Sequence, residues 1–309
     1  MSRTTPLFPP TGRILRHRRI DVDGMSIFYR EAGQAGAPVL LLPHGYPCSS
    51  YQYRNLMPAL ADRWYLLAPD FPGFGYSDTP ERERFACDFD AYADFLQRFT
   101  EALGVRRYAI WLHDYGSQIG LRHAIAASDR IEGLIIQNGD IYEDQLGPGY
   151  DGLKDYWKAP SETKRQKLFD AVSEDGFRRE FTAGLAPHLA ERVPPDLWHL
   201  ACAELTSPGR REIMVGLMEG LKENLSWFPR YQAWLRQYRP PTLILWGPQD
   251  GYMPEGAGRA YLRDLPDADL HMLEAGHWAL ETNLDEIVPL VRDFLSRLRS
   301  GESRARRAV

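Results

Sequence analysis

Cysteine is scarce in this chain. Three in 309 residues (Cys48, Cys87 and Cys202), with no Cys-x-x-Cys spacing, exclude a disulfide framework and a thiolate metal site and fit a reducing compartment. An excess of positive charge is missing too: 37 basic against 42 acidic side chains leave −5, which disfavours nucleic acid as the main partner. No apolar run approaches the roughly 20 residues that span a bilayer, and the longest comparable stretch, Pro38 to Leu42, has the length of a strand. The first residues, MSRTTPLFPPTGRILRHRR, lack the apolar segment of a secretory signal. These absences predict a soluble, cytoplasmic protein with no membrane partner. The basic residues near the ends (Arg13, Arg16, Arg18, Arg19 and the tail SRARRAV) read as solvated termini. Internal repeats and low-complexity segments are also absent.

What is present is an alternation. Short apolar runs rich in β-branched residues (SIFYREA, PVLLLP, YLLAP, RYAIWLH, EGLIIQN, and later PTLILWG and DLHMLEA) are separated by helix-length amphipathic stretches at about 50–60, 88–103, 116–127, 256–264 and 282–299. That rhythm predicts an α/β fold with a mostly parallel sheet covered by helices on both faces. RHRRIDV and MSIFYREA flank Asp23-Gly24, a two-residue hairpin signal, so the sheet is expected to begin antiparallel. Between Gly139 and Arg239 the strand patterns vanish, and KRQKLFDAV, LWHLACAEL and REIMVGLMEGLKENL read as helices. The expected organisation is a core of residues 1–138 and 240–309 with a helical cap over 139–239. The cap should leave the sheet at its C-terminal edge, where open α/β sheets hold their ligands.

The sharpest chemical signal is WLHDYGSQIG, residues 111–120, a strand running through a tight turn into a helix. A nucleophile elbow puts its reactive residue at the centre of small-x-nucleophile-x-Gly. Ser117 fails that pattern, because Tyr115 and Ile119 occupy the flanking positions. Asp114 fits it on one side through Gly116 and departs from it on the other, where Leu112 stands at a position that is often small. A carboxylate is ordinarily ionised at pH 7 and attacks an electrophilic carbon without a base to deprotonate it. The enzyme ester so formed needs a general base, an acid to orient that base, and two N–H donors for the oxyanion. His277 in LEAGHWALE is the candidate base. Asp250 in ILWGPQDGYMP is the candidate acid, since Asn138, after the earlier strand, stands at the other place for such an acid and cannot serve as one. The candidate oxyanion donors are the backbone N–H groups of Tyr115 and of Tyr46 in LLPHGYPCSS. His44 and His113 read as loop-orienting residues.

These segments together resemble the α/β-hydrolases with an aspartate nucleophile, the haloalkane dehalogenases and epoxide hydrolases. The likeness is carried by HGYPCSSYQYRNLMPAL (44–60), APDFPGFGYSDTP (68–80), FTEALGV (99–105), HDYGSQIG (113–120), the loop at Asp250 and GHWALET (276–282). It implies the α/β-hydrolase fold with an inserted helical cap, no cofactor and no metal, and the roles of nucleophile, acid and base at Asp114, Asp250 and His277.

The two subfamilies differ in how the leaving group is steadied. Haloalkane dehalogenases commonly supply a Trp after the nucleophile and an Asn in the His-Gly-x-Pro loop or a cap Trp, and here Tyr115 and Tyr46 stand in those first two places. Trp157, Trp198 and Trp227 remain as cap donors. Epoxide hydrolases usually present two cap tyrosines. Tyr150 and Tyr156 are candidates for the first, while Phe228 stands where the second is expected, with Tyr231 one turn away. The resulting expectation is a hydrolase acting on small apolar electrophiles with water as co-substrate, epoxide opening ahead of carbon–halogen cleavage. Two rivals are an ester hydrolase in which His277 activates water directly and a small-molecule binder without turnover.

Overall fold

Strands β1 (Arg16–Val22) and β2 (Met25–Ala32) pair antiparallel across Asp23-Gly24, whose φ values of 53° and 77° suit the tight turn that joins twisted strands. The computed structural model describes residues 14–300; Arg13 and the basic tail lie outside the described residues. Six further strands follow: β3 (Val39–Leu41), β4 (Tyr65–Pro69), β5 (Tyr108–His113), β6 (Ile131–Gln137), β7 (Thr242–Trp246) and β8 (Asp269–Met272). They form one sheet in the order β1-β2-β4-β3-β5-β6-β7-β8, antiparallel where β2 meets its neighbours and parallel from β4 to β8.

Alternate residues of the central strands feed two cores. In β5, wholly buried as a doubly covered parallel strand must be, Ile110 and Leu112 join the core beneath α2 (Phe89–Ala102) and α3 (Tyr115–Ala126). Ala109 and Trp111 turn to the opposite core, beneath α1 (Leu56–Leu60) and the C-terminal α12 (Leu284–Ser300). Helix α2 starts where Asp88 accepts the N–H of Ala91, and it buries Phe89, Tyr92, Leu96 and Phe99 along one face. The stretch 50–60, expected as one helix, divides into a 3-10 turn at Ser50–Tyr53 and α1, because Ser49 caps the turn and a second start follows at Asn55. The last helix begins at Leu284, after the short α11 (Ala279–Thr282).

Between β6 and β7 the described chain holds helices only: α4 (Asp151–Lys158), α5 (Glu162–Ala171), α6 (Glu174–Thr182), α7 (Pro187–Ala190), α8 (Asp196–Glu204) and α9 (Arg210–Tyr238). This insertion is pinned to the loop after β4. The Arg210 guanidinium donates to the carbonyls of Gly75 and Ser77, each at 2.7 Å, and the Glu204 carboxylate accepts the N–H of Gly75 at 2.8 Å. Helix α9 then returns to the core, where the Trp234 indole donates to Ser128 Oγ and Gln232 to the carbonyl of Ile141. The helix thus serves both layers, and its last turns rest on α3 and on the loop after β6. After β7 comes α10 (Glu255–Ala260). No helix among the described residues is long and apolar enough to cross a membrane.

β3 and β5 lie side by side while their following connections leave in opposite directions, to β4 and to β6. That switch point opens a crevice beyond the C-terminal strand ends. The loop carrying Tyr46 and the turn carrying Asp114 both emerge there.

Leu112, large where the elbow pattern is often small, has its space provided by Gly120 on α3: a Cβ on Gly120 would come within 2.5 Å of Leu112 Cδ2. Gly120→Ala should therefore destabilise the protein by about 1–3 kcal/mol through overpacking. In the double variant with Leu112→Ala the loss should be smaller than the sum of the single losses. Urea denaturation of the three variants measures this, and strictly additive losses would show that the two side chains do not compete for one space.

Candidate active site

The turn from β5 into α3 forces Asp114 to φ 50° and ψ −131°, a region L-residues rarely adopt and one that costs on the order of 1–3 kcal/mol. Its neighbours hold it there. The Asp114 N–H donates to the carbonyl of Asn138 at 3.1 Å, and its carbonyl accepts both the N–H (2.9 Å) and the hydroxyl (2.7 Å) of Ser117. Gly116 allows the helix to approach the loop after β3; a Cβ there would lie 2.6 Å from the carbonyl oxygen of Pro43. Ser117, fully buried with its hydroxyl turned back to the elbow, does not face the crevice.

The Asp114 carboxylate is held at both oxygens. Oδ1 accepts the backbone N–H of Tyr46 at 2.5 Å, and Oδ2 lies 3.5 Å from His277 Nε2. Tyr115 opens the first turn of α3, where backbone N–H groups and the helix dipole favour negative charge. The Tyr46 and Tyr115 rings stack with centroids 5.3 Å apart.

On its other side His277 Nδ1 meets Asp250 Oδ2 at 2.7 Å. Asp250 is fully engaged: Oδ1 accepts the N–H groups of Tyr252 and Met253, and Oδ2 also accepts from Asn138 Nδ2 at 2.8 Å. Burial alone would raise its pKa, but the His277 charge and these hydrogen bonds hold it below the usual carboxylate range. For His277 burial alone would lower the pKa, and the Asp250 and Asp114 carboxylates outweigh it, lifting the imidazole well above its ordinary value. Among the described residues Nε2 has no hydrogen-bond partner within the chain, which leaves it directed at the Asp114 side of the crevice.

Asn138 and Gln52, to which the sequence pattern assigns no role, both tie the site together. Asn138 closes a two-way bridge to Gly247, donating to its carbonyl and accepting its N–H, while its Nδ2 steadies Asp250. Gln52 accepts the N–H of Gly45 and contacts His113 Nδ1 at 3.2 Å, and His113 Nε2 reaches the His277 carbonyl at 3.1 Å. That chain links three of the loops. His113 is kept neutral, its pKa pushed by burial down to about 3. His44 ties the carbonyl of Gly45 to the N–H of Phe71.

The insertion's aromatic candidates divide. Tyr150 is buried beside Asp140, with Asp114 and Tyr115 among the groups that act on its hydroxyl, and its ring meets that of Tyr252 at 5.2 Å. Trp157 adjoins Tyr150, its indole N–H spent on the Met218 carbonyl at 3.4 Å. The others are engaged away from Asp114. Tyr156 donates to Glu219, Tyr231 to the carbonyl of Gln118 on α3, Trp227 lies between Arg122 and Arg230, and Phe228 packs against Tyr231. These four pack within the insertion and its seam with the core: α9 turns Trp227, Phe228 and Tyr231 toward α3, and Tyr156 on α4 is spent on Glu219 of α9.

Three further groups that the sequence did not single out surround Asp114. Tyr252 follows Asp250 by two residues. Asp140 follows Asn138 by two, accepts from Gln118 Nε2 at 3.2 Å, and is raised to about 6, by burial first and then by Asp114. Glu180 comes from α6, where the face Phe177, Glu180, Phe181 is the available signal: an acid between two apolar anchors.

A family model described as alpha/beta hydrolase fold matches residues 38–192 and 214–284. An uncharacterized hydrolase of Saccharomyces cerevisiae is 34% identical over 286 residues, covering 92% of this chain and 97% of its own. Haloalkane dehalogenase 2 of Mycobacterium tuberculosis is 29% identical over 238 residues, covering 72% of this chain and 74% of its own. A crystal structure of a haloalkane dehalogenase loop variant from Bradyrhizobium elkanii superposes with a TM-score of 0.75 at 19% identity, over 93% of this chain and 99% of that one. With that match and that fold, the chain belongs to the alpha/beta hydrolase fold family, as a hydrolase.

Proposed function

We propose that this hydrolase works through a covalent ester on Asp114 and that its substrates are small apolar electrophiles, epoxides first. The observation that carries the reading is the state of the Asp114 carboxylate: one oxygen on the Tyr46 N–H at 2.5 Å, the other 3.5 Å from an imidazole that is itself anchored on Asp250 at 2.7 Å. Oδ2 attacks the substrate carbon. The ester carbonyl oxygen then lies where the Tyr46 and Tyr115 N–H groups stabilise the charge that develops as water adds. His277, oriented by Asp250, takes the proton of that water. Residues 139–239 act as the cap over this site and 1–138 with 240–309 as the core. The three cysteines are unpaired, which supports work in a reducing compartment, the cytoplasm.

Epoxide opening is favoured over dehalogenation by the kind of donor near Asp114. An epoxide oxygen needs an O–H donor, and the hydroxyls of Tyr150 and Tyr252 are at hand. A departing halide is steadied by N–H donors, but the Trp157 indole is spent on Met218 and Trp227 lies against two guanidinium groups. The dehalogenase relative at 29% identity keeps carbon–halogen cleavage as the second reading.

Two outcomes test this. Asp114→Ala should abolish turnover, and His277→Gln, exposed to mixed epoxides and haloalkanes, should accumulate an adduct that peptide mapping locates on Asp114. A hydroxyalkyl mass means epoxide opening and an alkyl mass means dehalogenation. Turnover surviving Asp114→Ala, or no adduct from either set, would sink the ester mechanism in favour of direct ester hydrolysis or binding alone. Separately, Asp114→Asn removes a carboxylate that raises His277, so the imidazole pKa read by NMR should fall. Stability contributed by the charged imidazole is fully present below its ordinary value of about 6.5 and is lost as pH rises through the raised folded value. In the variant that loss should move to lower pH, and an unchanged titration would show the pair to be uncoupled.

A further inference from the structure

Helix α6 sets one face across both supports of Asp114. Its Phe177 ring meets Tyr46, whose N–H holds Asp114, at 6.2 Å, and its Phe181 ring meets Trp278, the neighbour of His277, at 4.5 Å. Residues three apart share a helix face, so Glu180 sits beside Phe177 on the side of α6 that these two rings turn to the core, within the field of the Asp114 carboxylate. The groups it faces come from each surrounding loop: Asp114 from the elbow, Asp250 and Tyr252 from the loop after β7, His277 from the loop after β8, and the Tyr46 and Tyr115 hydroxyls. The Tyr252 hydroxyl and the His277 imidazole also act on its carboxyl.

We propose that Glu180 is the acid that protonates the departing oxygen when Asp114 opens an epoxide ring, an assignment that rests on the ester mechanism above. Burial, and then the Asp114 and Asp250 carboxylates, raise its pKa to about 7 against the opposing pull of His277. A substantial part of it therefore carries a proton at neutral pH. The tyrosine hydroxyls around it are driven the other way for this purpose, well above their ordinary range. A general acid works best with its pKa near the working pH, so the carboxyl is the better proton source and Tyr252 orients it.

The protons balance. Asp114 Oδ2 bonds to the epoxide carbon, the carbon–oxygen bond breaks, its electron pair stays on oxygen, and that oxygen takes the Glu180 proton. A hydroxyalkyl ester and a Glu180 carboxylate result. His277, charged at rest, passes its proton to Glu180 directly or through water and becomes the neutral base. It then takes a proton from water as hydroxide adds to the ester carbonyl. The intermediate expels the diol oxygen, which takes the proton of the added hydroxyl, restoring the Asp114 carboxylate and the charged His277. The sum is epoxide plus water to diol.

The test follows Asp114 ester formation in single turnovers by rapid acid quench and mass spectrometry, with 1,2-epoxyhexane and 1-bromohexane as probes. A leaving bromide needs no proton. In Glu180→Gln, formation of the hydroxyhexyl ester should slow by about 100-fold or more relative to any alkylation by bromohexane in the same variant. In the wild type the epoxide rate should fall as pH rises through about 7 and the variant should lose that limb. A variant that forms the hydroxyhexyl ester at the wild-type rate overturns the assignment, as does a wild-type rate that is flat between about pH 6 and 9. If Glu180→Gln proves unfolded by thermal melting, Glu180→Asp replaces it: a slowed epoxide rate whose falling limb moves in pH supports the assignment, and a rate and limb unchanged from the wild type overturn it. Absence of any Asp114 ester in the wild type would instead overturn the ester mechanism, and the role of Glu180 with it.

Discussion

The structure turns on a single backbone conformation, the positive φ of Asp114. A non-glycine residue at 50° returns to an extended or helical geometry unless its surroundings forbid it, and here both sheet neighbours of β5 do so. From the β6 side the Asn138 carbonyl accepts the Asp114 N–H, and from the β3 side the Tyr46 N–H donates to the carboxylate, while α3 returns two hydrogen bonds to the Asp114 carbonyl. These contacts require β3, β5 and β6 to be adjacent and parallel with their C-terminal ends level. The order β3-β5-β6 in the sheet supplies that. Asn138 itself has a positive φ of 38°, so the strain of the elbow is shared with the residue that supports it.

A second constraint is charge. Asp114, Asp140, Glu180 and Asp250 act on one another around the His277 imidazole, and four buried carboxylates so grouped do not all remain ionised. The site resolves this unevenly. Asp250 receives four hydrogen bonds and stays charged, whereas Asp140 and Glu180, with fewer partners, are raised to about 6 and about 7. The same field repels anions, which suits the neutral electrophile proposed as substrate.

Much of this was legible in the sequence where a local pattern determines a local structure. YAIWLH can only be buried on both sides, Asp23-Gly24 can turn within two residues, and Gly116 after Asp114 marks the elbow, so strands and turn fall where the pattern predicts. The helical composition of 139–239 was equally plain. The direction of each helix face was not. Tyr156, Trp227, Phe228 and Tyr231 are aromatic in the right region, but whether they line the crevice depends on how α4 and α9 rotate against α3, which is a property of long-range packing. Glu180 was hidden for the converse reason: on a helix bearing Glu174, Asp175, Arg178 and Arg179, one more charge reads as solvated until the ring partners of Phe177 and Phe181 are known.

Those partners also explain how an insertion built mostly from short helices can position the Glu180 carboxyl. The insertion touches the core on both sides of Asp114. On one side Arg210 and Glu204 grip the loop after β4. On the other, the Ala186 N–H donates to Gln249 and Arg192 to the carbonyl of Thr282, close behind Asp250 and His277. Helix α6 lies between these two grips, and its register is set by two ring contacts rather than by hydrogen bonds. Because Phe177 rests on Tyr46 and Phe181 on Trp278, any movement that separates Glu180 from the crevice must also uncover Tyr46 or the neighbour of His277. The position of α6 and the hold on the Asp114 carboxylate are therefore one condition: the rings that fix the helix carrying Glu180 also cover Tyr46 and the neighbour of His277, the two supports of Asp114.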